Sequence, residues 1–134
     1  MTCSHYLRSW LIERGYDASR VAVVKLGMDK ADLTPPSADE RASAKSRLLG
    51  LAADVPVVVT VARLDRQKRS HLVPDIVARA REMMAEENPT AKLPVLVMLG
   101  DGDLRGAVED RVTALGMGAD AARILGAFVP IQPR

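Results

Sequence analysis

The chain has 134 residues, enough to bury one hydrophobic core but too few for two. Its hydrophobic share of 48% and charged share of 27% are those of a globular protein, and with aromatics at only 3% the core must be aliphatic. A formal net charge of +2 is too small for an overall field that would recognise nucleic acid or a membrane surface, and a single cysteine, Cys3, excludes an internal disulfide.

Ser4 is placed to cap a helix over roughly Tyr6 to Arg14, with Leu7, Trp10 and Leu11 on one apolar face and Gly15 to end it. Arg20 to Leu26 reads as a short buried strand because Val21, Val23 and Val24 are β-branched and Gly27 follows. Thr34, Pro35, Pro36 and Ser37 interrupt regular structure, so a connection is expected from Asp29 to Asp39, leading into a polar helix from about Ala38 to Leu49 that Gly50 closes.

Val55 to Ala62 contains four consecutive β-branched residues, Val57 to Thr60, the pattern of a parallel strand covered on both faces, and is expected to be the central strand. After the polar turn Arg63 to Arg69, Ser70 can cap a helix carrying Leu72, Ile76, Val77, Ala80 and Met84 at helical spacing, with Pro74 tolerated in its first turn. Leu93 to Leu99 reads as a second apolar strand, Gly100 to Asp103 as a tight turn with Asp103 as N-cap, Leu104 to Leu115 as a helix and Arg123 to Leu125 as a third strand.

Strands alternating with helices of this length predict right-handed crossovers onto a parallel sheet, hence a three-layer α/β domain. The chain then runs out at Phe128 to Arg134, where the alternation calls for another helix, so the domain is expected to be incomplete. The longest apolar runs are far shorter than the ~20 residues of a membrane helix, and no span or signal peptide is expected. With its lone cysteine this points to a reducing, cytoplasmic setting.

Ligands of parallel α/β sheets bind beyond the carboxyl ends of the strands, so the turns there carry the functional expectation. Arg63-Leu64-Asp65-Arg66-Gln67-Lys68-Arg69 places four cations in seven residues, just ahead of a helix N-terminus. Arg63 offers a planar fork of donors, Lys68 a mobile point charge and the helix its first amides, a set suited to a diphosphate. The same run also reads as a solvated loop whose cations pair with Asp65.

Gly100-Asp101-Gly102-Asp103 and Gly27 are secondary candidates, although on residue chemistry alone a plain strand-to-helix link accounts better for the former, where a phosphate would meet two aspartates. His5 and His71 lack a carboxylate orienter at a fixed spacing, nothing near Cys3 activates a thiolate, and no catalytic residue is assigned. No Cys-His pattern supplies a metal ligand set, and neither Gly-x-Gly-x-x-Gly nor a Walker lysine is present. Tyr6, Trp10, Tyr16 and Phe128 are scattered and form no platform for single-stranded nucleic acid.

Read in order, the segments resemble the retaining, family-4 type of glycosyltransferase. Ser4-His5-Tyr6-Leu7 to Gly15 is similar to its "S-x-x-L…G" helix and Val23 to Asp29 to its "v-i-p-N-G-v-D". Val59-Thr60-Val61-Ala62-Arg63-Leu64 through Gln67-Lys68 resembles "v-G-R-L-x-x-x-K-G", Val97 to Leu104 resembles "i-v-G-d-G-p-l", and Leu125 to Pro130 resembles "f-l-G-x-v-p".

That resemblance implies half of a GT-B fold: residues 1–19 as a helix and lead-in from an interdomain region, and residues 20–134 as part of a Rossmann-like, nucleotide-sugar-binding domain. It implies Arg63 and Lys68 as the clamp on the diphosphate of a UDP-, GDP- or ADP-sugar, with no cofactor, and the rest of a GT-B enzyme as the missing partner. A full-length parent would work in the cytoplasm or at the membrane surface, whereas this chain alone would lack activity. The chain departs from the pattern at Leu26, where Asn is frequent, and at Ala62 and Arg69, where Gly is usual, and these two side chains are expected to crowd the phosphate approach. Two alternatives remain on residue chemistry: a non-catalytic phosphate- or nucleotide-binding module, and a structural fragment that forms homo-oligomers through an exposed sheet edge.

Overall fold

A computed structural model of the protein describes residues 1–25, 27 and 34–126. Most of the connection expected after Gly27 and the terminal segment Phe128 to Arg134 lie outside these. The chain divides into two compact units, Met1–Ser37 and a second beginning at Ala38.

In the first unit α1 spans His5–Ile12, and the Ser4 side chain caps it by accepting from the Leu7 amide at 3.1 Å. Arg14 lies over the Trp10 ring, 3.6 Å from its centroid. Arg8 donates to the carbonyls of Ala18 and Val21, both at 2.9 Å, and so ties the helix to the chain that returns beside it. The expected strand after Arg20 does not form among the described residues. Among the described residues Val23 makes only an isolated parallel bridge, with Thr2, and no neighbouring strand extends it. Valine's β-preference yields a strand only where a neighbour can extend the ladder, and Val24 is left exposed.

The second unit begins with α2, Ala38–Leu49, closed where the Gly50 amide donates to Ser46 O at 2.8 Å. Three strands follow, β1 Val57–Val61, β2 Val95–Leu99 and β3 Ala122–Leu125, joined by α3, Val73–Glu87, and α4, Arg105–Ala114. All pair in parallel in the order β1-β2-β3, in register from Val57 opposite Val95 and from Leu96 opposite Ala122. Alternation along β2 sends Leu96 and Met98 into a core with Leu64, Val77, Val108 and Val112, under α3 and α4. Val97 and Leu99 line the opposite face, where they share a cavity of about 580 Å³ with Leu48 and Leu49 of α2. Helices on both faces make the expected three-layer α/β domain.

One expectation is overturned: among the described residues β2 is central and β1 is an edge. Val59 and Val61 are 53% and 68% exposed, whereas Val95 to Met98 are all buried. Both runs are dominated by aliphatic residues, and the pairing decides which of them lies between two neighbours.

Arg111 of α4 meets Asp75 of α3 through its Nε at 2.9 Å and 3.1 Å. These hydrogen bonds hold the Asp75 carboxyl below the usual carboxylate range. Arg123 donates to the Leu49 carbonyl and links the end of α2 to β3.

Candidate functional site

The basic run leaves the carboxyl end of β1 and precedes α3, and its shape is set by Leu64 and Asp65 between the cations and by Ser70 just after them. Leu64 points inward and is 2% exposed, so the loop is rooted in the core between Arg63 and Asp65. Ser70 is buried too, its hydroxyl donating to the Arg63 carbonyl at 3.0 Å. Asp65 accepts from the Lys68 amide at 2.8 Å and faces the Arg63 guanidinium at 3.3 Å. The loop therefore folds back on itself, with Arg63 and Lys68 held to one carboxylate.

Ser70 was expected to cap the following helix. Instead a 3-10 turn, Ser70–Leu72, intervenes, and α3 begins at Val73 with no side-chain cap, because the Ser70 hydroxyl is committed to Arg63. Asp103 likewise fails to become a cap: Leu104 takes the N-cap position of α4, without a capping side chain. Among the described residues, Lys68, Arg66 and Arg69 form no ion pair, so three of the loop's four cations face outward uncompensated.

Arg69 adopts φ +53°, the sole non-glycine residue in the left-handed region among those described. Left-handed backbone costs an L-residue roughly 1 kcal/mol relative to glycine. Arg69→Gly is accordingly expected to raise stability by up to about 1 kcal/mol in a urea melt. A loss instead would mean that contacts of the Arg69 side chain outweigh the strain.

The Gly100 to Asp103 turn lies against the basic loop as a second strand of main chain. Leu64 N donates to Asp101 O and Leu104 N to Leu64 O, each at 2.9 Å, and Ala62 N donates to Leu99 O at 3.1 Å. A Cβ on Gly100 would meet the Ala62 carbonyl oxygen at 1.9 Å, and one on Gly102 the Leu64 carbonyl oxygen at 2.6 Å. Both glycines are thus needed for loop-to-loop contact. Asp101 is engaged nearby, accepting from the Gly102 amide at 2.8 Å and lying 3.9 Å from Arg105.

Gly27 is in the other unit, exposed, with open space where a Cβ would stand. His5, His71 and Cys3 are exposed. Among the described residues no three His, Cys, Asp or Glu side chains converge on a common point, and no helix is long and apolar enough to cross a membrane. The pairing of Asp65 with a cation of the run was expected, whereas its bond to the Lys68 amide and the roles of Leu64 and Ser70 in rooting the loop were missed in the sequence. An apolar residue set inside a charged run was the one available signal.

No protein-family model matches the sequence. Over 106 residues, 73% of this chain, it is 32% identical to the D-inositol 3-phosphate glycosyltransferase of Jonesia denitrificans. The chain is homologous to part of a glycosyltransferase. It spans about a quarter of that relative, 24% of its length. Among solved structures, Anabaena HepE in complex with UDP and glucose superposes with a TM-score of 0.69 at 20% identity, over 96% of this chain and 32% of that one. HepE with UDP-glucose gives 0.66 at 22% identity, over 96% and 33%. At such identities the likeness speaks for the fold: the three strands and their helices match a Rossmann-like portion, about a third, of a GT-B structure.

Proposed function

We propose that this chain supplies the diphosphate-binding part of a nucleotide-sugar-dependent glycosyltransferase of the retaining, family-4 type. The observation that carries the reading is the basic loop itself, where Arg63 and Lys68 project from a turn rooted in the core at the carboxyl end of a parallel strand. A hexose leaves its nucleotide with the electron pair of the broken glycosidic bond on the diphosphate. A guanidinium fork and an ammonium that have engaged the diphosphate when the donor binds stabilise that growing charge.

The relative acts on an inositol phosphate by name, and HepE was solved with UDP and UDP-glucose. Within the UDP-, GDP- or ADP-sugar class, the HepE complexes support a UDP-sugar as donor. Residues 1–19 serve as a lead-in to the donor domain, and the remainder of the enzyme supplies acceptor recognition and turnover. A full-length parent would act in the cytoplasm or at the membrane surface.

Titration of the 134-residue chain with UDP, GDP and ADP, followed through amide chemical shifts, tests this. Saturable shifts from Arg63 to Ser70 are expected, and the double substitution Arg63→Ala, Lys68→Ala should abolish them. A folded sample that responds to none of the three nucleotides refutes the clamp. The exposed valines of β1 favour a second reading, self-association through that edge, which a concentration-dependent mass would reveal.

A further inference from the structure

Asp65 divides its carboxylate between the two residues of the clamp. Oδ1 accepts the Lys68 amide at 2.8 Å, closing the turn from which that side chain projects. Oδ2 faces the Arg63 guanidinium at 3.3 Å. The two halves differ in what can displace them. The first is a local bond to the main chain inside a four-residue turn, and a ligand need not disturb it. The second joins an Asp65 side chain only 22% exposed to an Arg63 side chain 75% exposed, so the guanidinium lies in solvent against the less exposed counter-ion, where an exposed ion pair is weak.

We propose that Asp65 is a positioning residue for this site: it parks Arg63 in the ligand-free loop and surrenders it to an incoming diphosphate while keeping Lys68 in place. The proposal rests on the diphosphate-clamp reading given above. No proton moves in the exchange. The Arg63 N–H donors leave one anionic oxygen acceptor for phosphate oxygens, which offer a bidentate match and more charge. The vacated carboxylate then stands beside the bound anion and opposes it. Binding is weakened by that repulsion, and departure of the nucleoside diphosphate, the product of the transfer, is eased.

Asp65→Asn separates the two halves, since an amide oxygen still accepts from Lys68 N–H but carries no charge, and Asp65→Ser offers a second neutral acceptor for the same turn. UDP affinity is measured on the whole chain for each variant, for Arg63→Ala and for the combined substitutions, with a thermal melt to confirm folding. The neutral variants are expected to bind UDP more tightly, by up to about fivefold, the range set by an exposed ion pair. Most of that gain should vanish when Arg63 is already alanine. An equal gain in both backgrounds, or none, overturns the exchange of Arg63 while the clamp stands. Weaker binding by the folded neutral variants also overturns it and leaves Asp65 as a brace of the loop. If Arg63→Ala leaves UDP affinity unchanged, or the unaltered chain binds no UDP, the clamp reading fails and this inference with it.

Discussion

Gly100→Ala is expected to destabilise the domain by about 3 kcal/mol, combining overpacking with an unfavourable backbone conformation. The new Cβ would fall 1.9 Å from the Ala62 carbonyl oxygen, at a φ of +150° that side chains rarely adopt. The atom in the way belongs to main chain anchored in the sheet, since Ala62 N is bonded to Leu99 O. No rotamer change can relieve the clash, and the two loops must part. In thermal melts the midpoint should fall by about 10 °C or more. Gly106→Ala is the control: its Cβ meets nothing within 4 Å, and inside α4 alanine is the better helix former. Equal midpoints for the two variants would show that the loops are not in the contact described.

Leu64→Ala should cost a similar amount, about 3 kcal/mol, as expected for a leucine removed from a packed core. Its distinctive consequence is at the site. Leu64 is flanked by Arg63 and Asp65, and its main chain bonds both Asp101 and Leu104. The substitution leaves those backbone bonds in place but takes away the side chain that roots the loop in the core. UDP affinity is therefore expected to fall even at temperatures where the variant remains folded. Val112→Ala, in the same core but away from the loop, should lose stability without a comparable loss of UDP affinity. If the two variants lose affinity alike, the leucine matters only through global stability.

The extent to which the sequence foretold the structure follows from the range of each interaction. The helix Ala38–Leu49 was legible to the residue, because a polar run between Ser37 and Gly50 carries its own limits. Strand, helix and crossover were legible for the same reason, and so was a basic loop at a strand's carboxyl end. What failed depended on partners that the local pattern does not specify. Val57–Val61 and Val95–Leu99 are both dominated by aliphatic residues, so the sequence does not say which of them is the centre of the sheet. Valines 21, 23 and 24 have strand chemistry, but among the described residues the pairing there is one bridge, between Val23 and Thr2. Ser70 and Asp103 carry capping chemistry, yet the Arg63 carbonyl claims the one and Leu104 displaces the other. Arg63, Lys68 and a pairing with Asp65 could be named, while the division of that carboxylate between the Arg63 guanidinium and the Lys68 amide emerged only once the turn had closed.

The hydrogen bonds that fasten the basic loop to the Gly100 turn bear on how an anion would be held. A disordered lysine- and arginine-rich segment must surrender backbone freedom on binding, at a substantial entropic cost. Here Leu64, Ser70 and the neighbouring turn have already met that cost in the folding of the domain. Only the outward side chains of Arg63 and Lys68 remain to be ordered. The binding free energy is then governed by desolvation and charge, and affinity should respond strongly to ionic strength and weakly to changes that merely stiffen the loop.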